Sequence, residues 1–320
     1  MREDLLAALE TEYQHLRENN ERTEAARRER IRCEYPDIEN AVEEREELIR
    51  GTIRTILGGG GDAGDLTGIM EEKNRRIREM LRNSGLPEDY LAPVYRCSEC
   101  RDTGYVGEPV RVRCACFLRA YQQRLRESIG LSGVQPETFE TFDPGRIPEE
   151  MLNEIGRTQR DLTVSVCNRC RQWADQFPDV SRRNILLTGP SGVGKTFLLR
   201  SIADRLISRG QNVLLISAYR FIEIARKSYF EGDDGMNELL GVPVLILDDL
   251  GSEPMMKNIT VEQLFYLVNE RKNRKLSTLI STNLSLEELP ARYTERIVSR
   301  INDPHDTMTI TMFGRDLRTV

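Results

Sequence analysis

The sequence is most informative first for what it lacks. No stretch approaches about 18 consecutive apolar residues, so no membrane-spanning helix is expected. The first residues, Met1-Arg2-Glu3-Asp4-Leu5-Leu6, are charged and lack the apolar core of an export signal. With 23 Gly, 13 Pro and 7 Cys in 320 residues, the chain is too poor in all three for a collagen-like, mucin-like or disulfide-scaffold protein. There is no internal repeat. There is also no excess of positive charge: the net of −6 excludes a non-specific polyanion binder, so any nucleic-acid contact must come from a local patch. An odd cysteine count without an export signal places the thiols, reduced, in the cytoplasm, available for metal ligation or packing. Lysine is scarce, 6 against 40 Arg, so each one carries information.

The charge is unevenly spread. Residues 1–90 hold 15 Lys+Arg against 22 Asp+Glu, whereas residues 91–135 hold 7 against 4. These shifts divide the chain into an acidic helical region (1–90), a cysteine-rich module with a linker helix (91–135) and a third region (136–320). In the first, helices are expected over about 3–33 and 37–57, separated by Pro36. Leu5, Leu9, Tyr13 and Leu16 form one apolar stripe, which gives way to charge from Arg17 to Arg30. A helix of that kind is either solvated or completed by a partner. The run Gly58–Gly61 reads as a flexible break, and a helix over 69–83 ends at Gly85 with Pro87 behind it. After a helix over 117–129, Gly130, Gly133 and Pro136 mark a boundary. From 137 onward, apolar strands alternate with helical segments, the rhythm of an α/β fold with a parallel sheet between helices.

The strongest motif is Gly189-Pro190-Ser191-Gly192-Val193-Gly194-Lys195-Thr196, set between an apolar strand and a helix that opens with Phe197. Glycines let backbone N–H groups curl around phosphate oxygens, and the helix adds the positive end of its dipole. Lys195 then reaches the β- and γ-phosphates of ATP, and Thr196 ligates Mg²⁺. A second apolar strand, residues 244–250, carries Asp248 and Asp249. Asp248 completes the Mg²⁺ shell and Asp249 orients the attacking water, with Glu253 as the lower-ranked alternative. An aspartate in that place is short, which suits slow turnover. A third strand, 276–281, ends in Thr282-Asn283. Asn283 is either a contact for the water or γ-phosphate or an ordinary strand-end turn former. In Glu295-Arg296-Ile297-Val298-Ser299-Arg300-Ile301, Arg296 and Arg300 share a helix face. That face is either solvated or offers an arginine finger to a neighbouring subunit, Arg300 first, Arg296 or Arg271 next.

Cys97-x2-Cys100, thirteen residues, then Cys114-x-Cys116 supplies four thiolates, which suits tetrahedral Zn²⁺. An iron–sulfur cluster or unligated packing cysteines are the alternatives. Cys167 and Cys170 fall inside a helical pattern over 163–177 and read as core residues. Residues 219–230 mix aromatic and basic side chains. There Phe221, Ile222 and Ala225 read as core, while Arg226, Lys227, Tyr229 and Phe230 are the candidates for single-stranded DNA, or else an ordinary polar helix face.

The phosphate loop, the Leu-Asp-Asp-Leu-Gly strand, the Ser-Thr-Asn strand end and the arginine box, in that order, resemble an AAA+ ATPase of the DnaC/IstB group. Adding Cys97, Cys100-Arg101-Asp102-Thr103-Gly104-Tyr105, Cys114 and Cys116 extends the resemblance, over about residues 85–320, to bacterial replicative helicase loaders of the DnaC/DnaI type. That resemblance implies an AAA+ core behind a helical region that docks on a DnaB-type helicase hexamer, with a zinc module between them. It implies ATP, Mg²⁺ and Zn²⁺ as cofactors, self-association into an ATP-dependent spiral, and loading of helicase onto single-stranded DNA in the cytoplasm. An IstB-type transposition helper is the alternative. Only about 20 residues follow the arginine box, too few for a separate helical lid, so Arg315 or Arg318 is the remaining source of a lid-type phosphate contact.

Overall fold

The computed structural model describes residues 2–57, 66–128, 131, 137–149, 151–152, 156–257 and 259–318. The glycine run 58–61 and the boundary residues Gly130, Gly133 and Pro136 lie outside them. The chain divides into two compact units, Arg2–Phe117 and Leu118–Val320.

In the first unit, α1 (Arg2–Glu34) and α2 (Pro36–Leu57) break where Pro36 forbids continuation. Proline fits the first position of α2 because that N–H would lack an intrahelical partner anyway, and Asp37 and Glu39 favour the same end of the dipole. With α3 (Leu66–Asn83) these helices close on a small core of Ile31, Ile38, Ala41, Val42, Ile77 and Leu81. Gly85, at φ 73°, caps α3 and lets Leu86 N–H reach back to the Leu81 carbonyl at 2.9 Å.

The charged stretch of α1 is completed by its own chain. Arg28 pairs with Glu46 at 2.7 Å and with the buried Glu39 of α2. Asn20 donates to Asp102 at 2.9 Å, and Glu24 accepts the Val94 N–H at 2.6 Å. A two-stranded antiparallel ribbon, β1 (Tyr105–Val106) and β2 (Val112–Arg113), precedes α4 (Ala115–Ser128), which starts directly after Cys114.

The second unit takes in α4 from Leu118 on and the segment 137–149, then a small antiparallel pair, β3 (Met151–Leu152) and β4 (Arg157–Thr158), and continues into α5 (Gln159–Gln176). There follow β5 (Asn184–Thr188), α6 (Lys195–Ser208), β6 (Val213–Ser217), α7 (Ala218–Glu231) and α8 (Gly235–Gly241). The chain then runs through β7 (Val244–Leu250), α9 (Thr260–Asn273), β8 (Ser277–Thr282), α10 (Leu289–Ile301) and β9 (Thr307–Thr311). Strands pair in the order β6-β7-β8-β5-β9, every pair parallel. Apolar runs such as Leu186-Leu187 and Val244-Leu245-Ile246-Leu247 are buried, as a sheet covered on both faces requires. Cys167 and Cys170 are buried core residues of α5. Strand β9 was not foreseen: Thr-Met-Thr-Ile-Thr is short and half polar, and it is a strand because it pairs with β5. Among the described residues, no helix is long and apolar enough to cross a membrane.

Arg271 is fully buried. Its guanidinium donates to the carbonyls of Leu239, Val242 and Ser277 and to Thr278 Oγ1, at 2.6–3.0 Å, tying α8 and α9 to the start of β8. It is therefore a structural clamp and leaves the set of finger candidates. Removing it would strand three carbonyls, each costing about 1–3 kcal/mol when unsatisfied. Arg271→Ala should lower unfolding free energy in urea by about 3 kcal/mol or more. The exposed Arg296→Ala should change it by about 0.5 kcal/mol or less.

Candidate functional site

The sheet order decides the site. β8 lies between β5 and β7, so the phosphate loop, the acid pair and Asn283 emerge side by side at the carboxyl ends of three adjacent strands. The loop needs its glycines. Gly189 adopts φ 137° with the Met312 carbonyl oxygen where a β-carbon would stand, and Gly192 adopts φ 77° with the Asp316 carboxylate in the corresponding place.

Lys195, 7% exposed, donates through Nζ to the carbonyls of Gly189 and Pro190 and to Asn283 Oδ1, each at 2.6 Å. Burial pushes its pKa down, and the nearby Asp249 and Asp248 oppose that shift. Asn283 Nδ2 in turn donates to Asp249 Oδ1 at 2.7 Å. One amide thus bridges the cation of the loop and the acid of β7, so the strand-end residue is more than a turn former. Thr196 Oγ1 donates to the Asp248 carboxylate at 3.0 Å, and Ser281 Oγ donates to Asp248 Oδ1 at 2.6 Å. Ser281 Oγ also accepts the Asp249 N–H at 2.8 Å, and Asp249 itself holds φ 61°. Thr196 and Asp248 are therefore already paired where a divalent cation would take both oxygens.

These groups face a cavity of 650 Å³ that spacing alone did not delimit. Its far wall is the segment 137–147, including Thr141, Phe142 and Ile147, with Phe142 and Phe197 ring centroids 5.9 Å apart. Arg200 holds that wall through Glu137 at 2.7 Å, and Arg160 through the Ile147 carbonyl at 2.9 Å. Irregular backbone gives no periodic signal, which is why the wall was illegible in the sequence. Of the two C-terminal arginines, Arg318 lines the cavity, with Nη2 at 3.4 Å from Ser191 Oγ. The backbone of Arg315 is instead bound to the Gln159 side chain.

Glu253 is buried and fully engaged. It accepts the Gly251 N–H at 2.8 Å and the Tyr293 hydroxyl, and it does not line the cavity. Arg300 does not line the cavity of its own chain. It donates to Asn269 Oδ1 at 2.9 Å, and both it and Arg296 sit over the Phe265 ring, at 4.6 and 4.8 Å from its centroid. On α7, Phe221, Ile222 and Ala225 are buried, while Arg226, Lys227, Tyr229 and Phe230 are exposed and the two rings stack edge to face.

In the first unit, the sulfur atoms of Cys97, Cys100, Cys114 and Cys116 lie within 4.8 Å of one another. A metal–sulfur distance of about 2.3 Å puts the corners of a tetrahedron about 3.8 Å apart. The Cys97–Cys114 pair is at 3.8 Å and the Cys100–Cys116 pair at 3.4 Å, so the four thiols fit a tetrahedral metal ion. Around them, Asp102 accepts the N–H groups of Arg96 and Cys97 at 2.8 and 2.9 Å, and Tyr13 of α1 donates to Cys116 Sγ at 3.4 Å. Gly104, at φ 76°, is required because a β-carbon would meet the Phe117 ring at 2.9 Å.

The profile of the family described as IstB-like ATP binding protein matches residues 176–301. The replicative helicase loader DnaI of Bacillus subtilis (strain 168) is 30% identical over 251 residues, covering 72% of this chain and 78% of its own. The replicative helicase loader DnaC of Escherichia coli (strain K12) is 25% identical over 229 residues, covering 69% and 87%. The ATP-binding protein of insertion sequence IS1162 from Pseudomonas fluorescens is 32% identical over 138 residues, covering 42% and 56%.

The three hydrogen bonds of Lys195 are the ones an anionic phosphate would replace. One net charge-assisted bond to phosphate, about 1.5–3 kcal/mol, makes Lys195→Ala weaken ATP binding by about 10- to 150-fold. Titration of a fluorescent ATP analogue measures this.

Proposed function

Because the chain belongs to the IstB/DnaC family of AAA+ ATP-binding proteins, we propose that it is an ATP-dependent loader of a DnaB-type replicative helicase onto single-stranded DNA. The observation that carries this reading is the extent of the similarity. The match to DnaI covers 72% of the chain, more than residues 136–320 can supply, so it reaches forward through the cysteine segment. The match to the insertion-sequence protein covers 42%. A transposition helper shares the ATPase core and remains the second reading.

In the mechanism we propose, Lys195 leaves the carbonyls of Gly189 and Pro190 for the phosphates, while the loop N–H groups hold the remaining oxygens. Thr196 and Asp248 would hold the Mg²⁺ that screens phosphate charge during transfer. Asp249, released from Asn283, orients the attacking water, and Asn283 keeps contact with both water and phosphate. Arg300 belongs to the neighbouring subunit's reaction, which explains why it faces away from its own cavity. Cores assembled through that contact would form a spiral whose α7 ends, with Arg226, Lys227, Tyr229 and Phe230, grip single-stranded DNA by stacking and charge. The acidic helices of residues 1–90 would dock on the helicase. The four cysteines would hold Zn²⁺, which crosslinks the knuckle, the ribbon and the start of α4. In this reading the protein works in the cytoplasm with the replication machinery.

The deciding experiment is capture of a DnaB-type helicase by the full chain and transfer of that helicase to a single-stranded circle. Binding to a transposase and to duplex DNA instead would favour the second reading. Elemental analysis should find one zinc per chain, and Cys116→Ser should lose it; full occupancy in that variant would count against the assigned ligands.

For Arg300, Arg300→Ala should leave ATP affinity intact and lower turnover, by up to the 10³–10⁵ that an arginine finger supplies in GTPases. Mixing it with Lys195→Ala should restore partial turnover, since an intact arginine then meets an intact loop. Mixtures as inactive as either parent would refute donation in trans.

A further inference from the structure

Glu253 is a buried carboxylate that does not line the nucleotide-sized cavity. Its Oε2 accepts the Gly251 N–H at 2.8 Å, its Oε1 accepts the hydroxyl of the fully buried Tyr293, and its backbone carbonyl accepts Arg292 Nη2 at 2.6 Å. Arg292 Nε also donates to the Tyr293 hydroxyl at 3.3 Å. Two of these bonds, from the Tyr293 hydroxyl and from Arg292 Nη2, join Glu253 to α10, and the other two brace each side: Gly251, just after the acid pair, against Glu253, and Arg292 against Tyr293. We infer that Glu253 and Tyr293 are positioning residues, a strut that sets the arginine-bearing half of α10 according to the state of Asp249. The inference rests on reading Arg300 as the group offered to a neighbour.

Backbone strain marks both ends of the strut. Asp249 holds φ 61°. Thr294, directly after Tyr293, holds φ 71° and ψ 149°, a region almost reserved for glycine and costly for a β-branched residue. Thr294 splits α10 in two. The part before it is fixed by Leu289 and Tyr293; the part after it carries Arg296 and Arg300, packed through Ile297 and Ile301. A residue kept in such a conformation between two buried anchors is a hinge that the anchors over-determine.

The near end of the strut is equally constrained. Gly251 approaches Leu284, with 3.2 Å between that side chain and the place of a β-carbon, and Leu284 follows Asn283. When Asp249 exchanges its 2.7 Å bond to Asn283 for a water, the turn at Gly251 must shift, and the Glu253 carboxylate passes that shift to Tyr293. A subunit's own nucleotide thereby governs the arginine it gives away. Coupling of this kind needs a group bonded at both ends, and the Glu253 carboxylate is one, with one oxygen on the Gly251 N–H and the other on the Tyr293 hydroxyl.

The test separates giving an arginine from using one. With ATP high enough to fill its weakened site, Lys195→Ala can only give; Arg300→Ala can only use. Tyr293→Phe added to the Lys195→Ala partner should cut the recovered turnover by about fivefold or more, at the low end of usual site-to-site coupling. The same change in the Arg300→Ala partner should leave recovery intact, and Glu253→Gln, whose amide can still accept the Gly251 N–H and donate to the Tyr293 oxygen, should retain most of it on either side. Loss on the using side alone would make Glu253 part of the hydrolytic site, and equal loss on both sides would make the pair a packing feature; either overturns the proposal. If the parent mixture shows no recovery, the trans role of Arg300 has failed, and the strut is judged by hydrogen exchange instead. Exchange over residues 295–301 should then respond to ATP in the unaltered chain and not in Tyr293→Phe; the absence of a response in the unaltered chain refutes the strut.

Discussion

The amide of Asn283 is the interaction on which the site depends. It accepts from Lys195 and donates to Asp249, so neither charge is left alone in a cleft where desolvation already disfavours the lysine. An amide carries both an acceptor and a donor, and the strand between β5 and β7 delivers it there. The arrangement also stores the resting state: the cation, the acid and the loop carbonyls satisfy one another until phosphate competes for them. Ser281, one turn of the pleat away, does the same for Asp248 and the Asp249 backbone.

Much of this was legible in the sequence because local chemistry dictates it. A phosphate loop needs glycine where φ is positive, and a buried parallel strand needs an unbroken apolar run, so both announce themselves in a single segment. The cysteine pairs were legible for the same reason. What stayed hidden depends on distant partners. Strand β9 is recognisable only once β5 is beside it, and the wall at 137–147 only once Arg160 and Arg200 pin it. Arg271 showed the opposite failure: a cation late in a helix reads as exposed, yet four acceptors from three segments hold it in the core. The charged half of α1 belongs here too, since its partners Asp102 and Val94 lie 82 and 70 residues away.

The two units use their arginines differently. In the core, guanidinium groups mostly act as crosslinks, clamping irregular backbone to helices. On α10 two of them share one aromatic ring, Phe265, which draws both without neutralising either. That is an arrangement for charges kept in readiness, and it contrasts with the pairing of Arg28 to Glu39 and Glu46 in the helical unit, where charge is spent on holding helices together.

The contact between Gly192 and Asp316 has a meaning for how the protein can vary. Leu317 N–H binds the Gly192 carbonyl at 3.0 Å, so the last described residues lie against the phosphate loop with no room for a side chain between them. The two positions form a lock: any residue larger than glycine at 192 must first displace the acid at 316. A chain that lost its final segment would be released from that demand, and glycine at 192 would then answer to backbone angle alone. Variation in the loop and in the tail should therefore be inherited together, as one trait written at two places in the sequence.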